Sequence, residues 1–73
     1  MDEPFIELNV FVKLIGLAST GGQAKLLIRS GAVKVNGEVE TRNRKKLLAH
    51  DVVEVQGKKY VVGETIKLRS PSV

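Results

Sequence analysis

Capping and turn residues between positions 20 and 37 constrain the fold of this chain most, because they fix a short helix followed directly by a hairpin. Thr20 and Gln23 have the T-x-x-Q spacing of a capping box, which marks the start of a helix. Gly31 stands where a glycine in the left-handed conformation commonly ends one. Asn36-Gly37, with valines on both sides, is a strong signal for a tight turn between two strands. The stretch is therefore typical of a small domain that combines helices and strands.

The predicted helix, Gln23–Ser30, begins with features that suit a phosphate group. Gly21 and Gly22 occupy its first turn, where an anion can closely approach the free N–H groups if no side chain intervenes. Lys25 and Arg29 are four residues apart, so they project from one outer face. Two alternatives stay open: the glycines could form a flexible joint, and the cations could be an ordinary solvated helix face.

The register of the hairpin depends on which residues should face each other. A two-residue Asn-Gly loop would pair Val35 with Glu38 and Lys34 with Val39, which mixes apolar and charged side chains on both faces. A three-residue loop with a bulge instead sets a valine opposite Val39 and Lys34 opposite Glu38 or Glu40. We therefore predict a bulged hairpin, and a plain two-residue loop would refute that register.

The rest of the chain supplies another helix and further short strands. Apolar residues at i, i+3, i+4 and i+7 predict an amphipathic helix over Leu8–Ile15, preceded by a brief edge strand at Phe5–Ile6. Residues 41–46 are expected to form an exposed loop or ragged strand, followed by a return to the core at Leu47 and Leu48 and a turn with positive φ at His50. Strands are expected over 52–55 and 60–62, joined by a turn that includes Lys58 and Lys59.

Together these elements predict an α+β fold, in which two short helices pack on a small, mainly antiparallel sheet of about three to four strands. A chain of 73 residues is expected to form a single domain over 1–73. Its compact part should span about residues 5–62, followed by a loosely held tail over 63–73.

Positive charge is concentrated in the middle of the chain. The net charge is +4, but residues 1–7 carry −3, residues 8–46 carry +6 and residues 47–73 carry +1. The densest part is a basic run made of Arg42, Arg44, Lys45 and Lys46. Such a cluster is the electrostatic footprint of nucleic-acid binding, although a net charge of this size is also ordinary for a small domain.

The residues needed for catalysis or for holding a cofactor are missing. Gly16 to Gly22 has the spacing of a P-loop, but Gly22 and Gln23 stand where its Lys and its Ser or Thr belong. There is no cysteine, and no Ser-His or metal-ligand arrangement is evident. We therefore expect no enzyme activity, cofactor, metal or small-molecule substrate. No apolar run approaches the ~20 residues of a membrane span, so the expected compartment is the cytoplasm.

The order of motifs resembles a known family. A helix, the pattern S/T-x-x-x-A-[KR], the hairpin G-x-V-x-V-N-G and the strand x-D-V-V-x-V follow one another over about residues 7–62. This order is similar to that of the small RNA-binding domain named for the fourth protein of the small ribosomal subunit, also called the alpha-L motif. The stretches G-G-Q-A-K and V-K-V-N-G-E-V-E-T-R-N-R look like its short stand-alone bacterial members, of the YbcJ and YaaA type.

The resemblance implies an RNA-binding face built from the start and outer side of the second helix and from the adjoining hairpin. By position, the implied contact residues are Thr20, Gly21, Gly22, Lys25, Arg29, Lys34, Arg42 and Arg44, to which the basic run adds Lys45 and Lys46. The chain departs from the broad family in three places. Gly21 stands where an arginine is frequent, and His50 stands where glycine is usual. Glu7 and Asn9 replace the Arg and the Asp that often open the first helix. The missing arginine shifts the expected contacts toward backbone amides and the remaining cations.

The expected function is recognition of structured RNA, ribosomal or similar to transfer RNA, through its phosphate backbone and shape. Only three aromatic residues are present, which disfavours recognition of single strands by base stacking. Two alternatives stay open: a DNA-binding helix-turn-helix protein, and a ribosome-associated protein-interaction module that uses an edge strand. RNA is the expected partner of a monomeric protein with a role related to translation.

Overall fold

The structure, a computed structural model, describes residues 4–63 of the chain. Its helices are α1 (Leu8–Leu14) and α2 (Gly21–Arg29), and its strands are β1 (Ile6–Glu7), β2 (Val33–Val35), β3 (Glu38–Val39), β4 (Lys46–Leu47), β5 (Val52–Val55) and β6 (Lys58–Val61). The predicted α+β class, with two short helices and a small antiparallel sheet, is confirmed. The prediction of a loose tail falls, from residue 64 on, outside the described residues. Neither α1 nor α2 has the length and apolarity that crossing a membrane requires.

Four strands form the main sheet in the order β3-β2-β5-β6, and each neighbouring pair is antiparallel. Val33 lies opposite Val55 and Val35 opposite Val53, so the valines of the two central strands share one face. β1 and β4 form a separate two-stranded ribbon, with Ile6 opposite Leu47. This ribbon joins the segment before α1 to the segment after the hairpin.

The core lies between the two helices and the valine face of the sheet. The fully buried helix residues are Leu8, Phe11 and Val12 of α1 and Ala24 and Ile28 of α2. Phe11 and Val12 follow Leu8 by three and four positions, and Ile28 follows Ala24 by four, so each helix has one apolar stripe. Because that stripe of α2 faces the core, its opposite side is exposed, and Lys25 and Arg29 lie there.

The predicted N-cap Thr20 and the predicted terminating Gly31 of α2 are confirmed, although the helix spans Gly21–Arg29 and not Gln23–Ser30. Thr20 is the N-cap, and its Oγ1 accepts a hydrogen bond from the Gln23 N–H at 3.1 Å. The Gln23 side chain accepts from the N–H of Ser19 at 2.8 Å, so the capping box extends one residue further back than its usual form. Gly31 follows the C-cap with a φ of +85°, a left-handed conformation that favours glycine. Local sequence therefore fixes both ends of α2.

The predicted bulged hairpin is wrong. The loop is the two residues Asn36–Gly37, with φ of 52° and 87°. It pairs Val35 with Glu38 and Lys34 with Val39. Positive φ at both loop positions is what a type I′ turn requires, and Asn-Gly suits that turn. β3 is a two-residue edge strand with both residues exposed, so burial does not decide its register and the turn chemistry does.

Other details of the sequence prediction also need correction. Leu47 is buried as predicted, but Leu48 is 39% exposed, because the chain turns away from the core after β4. Lys58 and Lys59 belong to β6 and not to a turn, since the two residues Gln56–Gly57 suffice to reverse the chain. The positive φ predicted for His50 is confirmed at 75°.

Candidate nucleic-acid interface

Two cations lie on the outer face of α2. Lys25 and Arg29 are one turn apart, both are exposed, and neither forms an ion pair within residues 4–63. α2 contains no acidic residue, and Leu26, the neighbour of Lys25, is 72% exposed. The outer face of α2 is therefore positively charged and accessible to a partner.

The first turn of α2 presents backbone N–H groups beside these cations. Gly21 and Gly22 are exposed, and their position in the first turn leaves their N–H groups without intrahelical partners. Neither has a positive φ. A Cβ added to Gly21 would have no neighbour within 4 Å, and a Cβ added to Gly22 would lie 3.9 Å from the Thr20 Oγ1. The fold therefore does not require glycine here. The absent side chains leave a clear approach to amides at the positive end of the helix dipole.

Lys34 lies on the hairpin, apart from this charged surface, because it alternates along β2 with the buried Val33 and Val35 and so projects from the face of the sheet opposite the helices. It is exposed on β2, with Val39 opposite it on β3 and Glu54 opposite it on β5. No ion pair joins Lys34 to Glu54, although the nearby carboxylate lowers the local positive potential. Gly31, at the end of α2, adjoins the same hairpin, since a Cβ there would be 3.8 Å from the Cγ1 of Val39. The residues of α2 and its N-cap that we name the helix face are Thr20, Gly21, Gly22, Lys25 and Arg29.

The two arginines of the basic run are held by carboxylates. Arg42 donates from Nε to Glu40 Oε2 at 2.9 Å and from Nη2 to Oε1 at 3.1 Å, which is a bidentate pair. Arg44 donates from Nε to Oε2 of Glu7 at 3.1 Å. The hydrogen bonds from the Arg42 side chain lower the pKa of Glu40 to about 2, and that carboxylate raises the pKa of Arg42. The arginine side chains are still 71% and 77% exposed, so their remaining N–H groups can reach a ligand.

The two lysines of the basic run lie on a segment that is fastened to α1. The N–H of Leu8 donates to the Lys45 carbonyl at 2.8 Å, and that of Asn9 donates to the Asn43 carbonyl at 3.0 Å. Lys46 is exposed, and its Nζ lies 4.8 Å from the centroid of the Phe5 ring, a cation–π contact. The segment is irregular and exposed, as predicted, but its backbone is held in place.

The ten predicted contact residues fall into the helix face, the basic run and Lys34, which projects from the opposite face of the sheet. The structure does not combine them into one patch of unpaired cations, because Arg42 pairs with Glu40 and Arg44 pairs with Glu7. Sequence reasoning missed both carboxylates. Glu40 stands two residues before Arg42 in an extended segment, where such side chains share a side, so the sequence did contain that signal. Glu7 and Arg44 are 37 residues apart, and no local pattern connects them.

Comparison with known proteins supports the resemblance seen in the sequence. The S4 domain family matches residues 1–63. The chain is 46% identical over 54 residues to the "Putative RNA-binding protein YbcJ" of Escherichia coli strain K12, covering 74% of this chain and 77% of that protein. It is 39% identical over 57 residues to the "Probable ribosome maturation protein RlbA" of Bacillus subtilis strain 168, covering 78% and 80%.

The fold is also similar to a solved structure. The solution structure of E. coli YbcJ, described as revealing an alpha-L motif involved in RNA binding, matches with a TM-score of 0.60 and 41% identity, covering 84% of this chain and 77% of that one. Sequence and fold therefore agree on one family. Since the family match spans most of the chain and the two helices and antiparallel sheets match those of YbcJ, this protein belongs to the S4 domain family and has the alpha-L fold.

Proposed function

We propose that this protein binds structured RNA, and that it holds the phosphate backbone through the helix face and the basic run. Membership of the S4 domain family supports the proposal, as does the similarity to YbcJ, whose structure is described as an alpha-L motif involved in RNA binding. The observation that carries it is the arrangement of α2. Two exposed glycines and two cations without an ion-pair partner in residues 4–63 lie along a helix that has no carboxylate.

The binding mode that suits this surface is recognition of backbone and shape. Phosphate oxygens accept hydrogen bonds from Lys, Arg and helix N-terminal amides, and such contacts set orientation without reading bases. Base stacking has little support within the described residues. Phe11 is fully buried, and Phe5 and Tyr60 are half-buried. The helix face should therefore discriminate weakly between sequences.

A ribosomal RNA is the substrate class that we favour. One relative is named a ribosome maturation protein, and the other is named an RNA-binding protein. A role in binding and not in catalysis fits membership of the S4 domain family. We propose a monomer that acts in the cytoplasm, where ribosomal RNA is found.

A titration against two nucleic acids of equal length tests this function. The full chain is titrated by fluorescence anisotropy into a hairpin RNA and into duplex DNA of the same number of base pairs, at several salt concentrations. We expect tighter binding to the RNA, with a log–log salt slope of about −1 for each phosphate contacted. Preference for the DNA would favour the helix-turn-helix alternative. An absence of salt-dependent binding to either would favour a protein-interaction module.

A further inference from the structure

A groove lies between the hairpin and the segment that follows it. Its volume is about 490 Å³, within the usual range for small-ligand sites. Residues of β2 and β3 line it, together with Leu48, Asp51 and three residues of the basic run, Arg42, Lys45 and Lys46. Val35, Val39 and Leu48 give it an apolar part. Phosphate binding at the helix face makes no use of this groove.

The groove differs from the helix face in its balance of charge. Its lining contains the three cations Arg42, Lys45 and Lys46 and the three carboxylates Glu38, Glu40 and Asp51. A phosphate gains little where carboxylates offset the cations. The part of an RNA that suits a balanced, partly apolar groove is uncharged and planar and carries hydrogen-bond donors. An unpaired base has these properties.

Of the three carboxylates that line the groove, Glu38 is the one available to bind a ligand, because the other two already accept hydrogen bonds from the protein. Glu40 is occupied by Arg42, and Asp51 accepts from the Asn36 Nδ2 at 3.2 Å and from the Leu48 N–H at 2.8 Å. The exposed Glu38 side chain forms no hydrogen bond or ion pair with any residue in the range 4–63. Its two oxygens are therefore available to donors on a ligand.

Hydrogen bonds fix the two sides of the groove relative to each other. The Asn36 side chain in the hairpin turn donates to Asp51 and accepts from the Val52 N–H at 2.9 Å. The backbone N–H of Asn36 also donates to the Val52 carbonyl at 2.8 Å. A site held in this way loses less conformational freedom when it binds.

We propose that the groove receives one unpaired guanine of the RNA and that Glu38 reads its Watson–Crick edge. This inference rests on the proposed RNA binding and adds base selectivity to it. Guanine presents two adjacent donors, N1–H and the N2 amine, and a carboxylate can accept both in parallel. Adenine has one donor beside an acceptor on that edge, and uracil has one donor between two acceptors. Leu48 supplies apolar surface for the ring, and the basic run supplies cations for the adjacent phosphates.

The test measures discrimination between bases. Hairpin RNAs that differ only in one bulged nucleotide, which is guanosine, inosine, adenosine or uridine, are titrated with the full chain by fluorescence anisotropy. We expect guanosine to bind about tenfold more tightly than adenosine, with inosine between them because it lacks the N2 amine. Glu38→Gln should reduce the preference to less than about twofold, since an amide puts a donor where the carboxylate accepted.

A second carboxylate provides the matched control. Glu54→Gln removes the same charge from β5, outside the groove lining, so it should retain the full preference for guanosine. Either variant can bind every hairpin more tightly, because each removes one negative charge. Salt-dependent binding without base preference, or a preference that survives Glu38→Gln, would overturn the guanine site and leave the proposed function standing. No salt-dependent binding to any hairpin would overturn both.

Discussion

The helix face and the basic run both carry cations but hold them differently. On α2, Lys25 and Arg29 have no ion-pair partner within residues 4–63, and no carboxylate lies on the helix. In the basic run, Arg42 and Arg44 are each hydrogen bonded to a glutamate. A count of basic residues would favour the basic run, whereas glutamates offset part of the charge of its arginines.

This difference leads us to expect that a cation contributes less to RNA affinity when it is already paired with a carboxylate. An unpaired Lys or Arg adds its full charge to the surface and displaces counterions from the phosphates it neutralises. An arginine beside a carboxylate has most of its charge offset already, so it offers mainly directed hydrogen bonds. We therefore expect the helix face to dominate affinity and its salt dependence, and the basic run to contribute orientation.

Removing the α2 cations should have the largest effect. We expect Lys25→Ala with Arg29→Ala to weaken binding to a hairpin RNA at least about tenfold and to reduce the salt slope by about two. The matched control is Lys58→Ala with Lys59→Ala, which removes the same charge from β6, at the sheet edge away from β3. Equal losses in the two double variants would mean that net charge, and not the helix face, determines affinity.

The second largest loss of RNA affinity is expected when a methyl group is added at Gly22. The added Cβ fits sterically, its nearest contact being the Thr20 Oγ1 at 3.9 Å, so Gly22→Ala should leave the free energy of unfolding unchanged or raise it by about 0.5 kcal/mol. The same Cβ would obstruct a phosphate at the first-turn amides, so RNA affinity should fall several-fold. Urea unfolding and RNA titration measure these two opposed effects. Unchanged affinity in a folded variant would show that the glycines are not an anion site.

These two predictions concern the part of the site that sequence could locate. Thr20, Gln23 and Gly31 define α2 by local capping chemistry, so the positions of Lys25 and Arg29 on its outer face followed from helical periodicity alone. The positive φ of His50 also followed from local preference.

The features that sequence could not supply depend on tertiary structure. The pair between Glu7 and Arg44 forms because β1 lies beside β4, a contact between segments far apart in the chain. The hairpin register was predicted wrongly because that prediction assumed a buried face for β3, which is an exposed edge strand. The groove exists only because the chain after β3 returns alongside the hairpin, so no motif marks it.

Removing the carboxylate that holds Arg42 should have a smaller effect, of opposite sign. We expect Glu40→Gln to strengthen RNA binding about two- to threefold, because it frees the charge of Arg42. The double variant Glu40→Gln with Arg42→Gln removes the pair without changing net charge, so its affinity should return close to that of the parent. Weaker binding by Glu40→Gln alone would contradict the charge argument, and it would mean that Glu40 is needed to orient Arg42.

The smallest expected effect is on stability at low pH. The Arg42 hydrogen bonds lower the pKa of Glu40 from 4.5 to about 2, so the pair stabilises the folded state fully above about pH 4.5 and progressively less as the pH falls toward 2. The difference in unfolding free energy between the parent and Glu40→Gln should therefore be constant from about pH 7 to 5, decrease as the pH falls further, and disappear only below about pH 2. It should be small throughout, because the Arg42 side chain is 71% exposed and solvent screens the pair. Urea unfolding across this range measures it, and the difference between the parent and Arg42→Gln should decrease over the same range. A difference that does not decrease between pH 5 and 2 would attribute the role of Glu40 to packing, and the contrast between the two regions would then not be electrostatic.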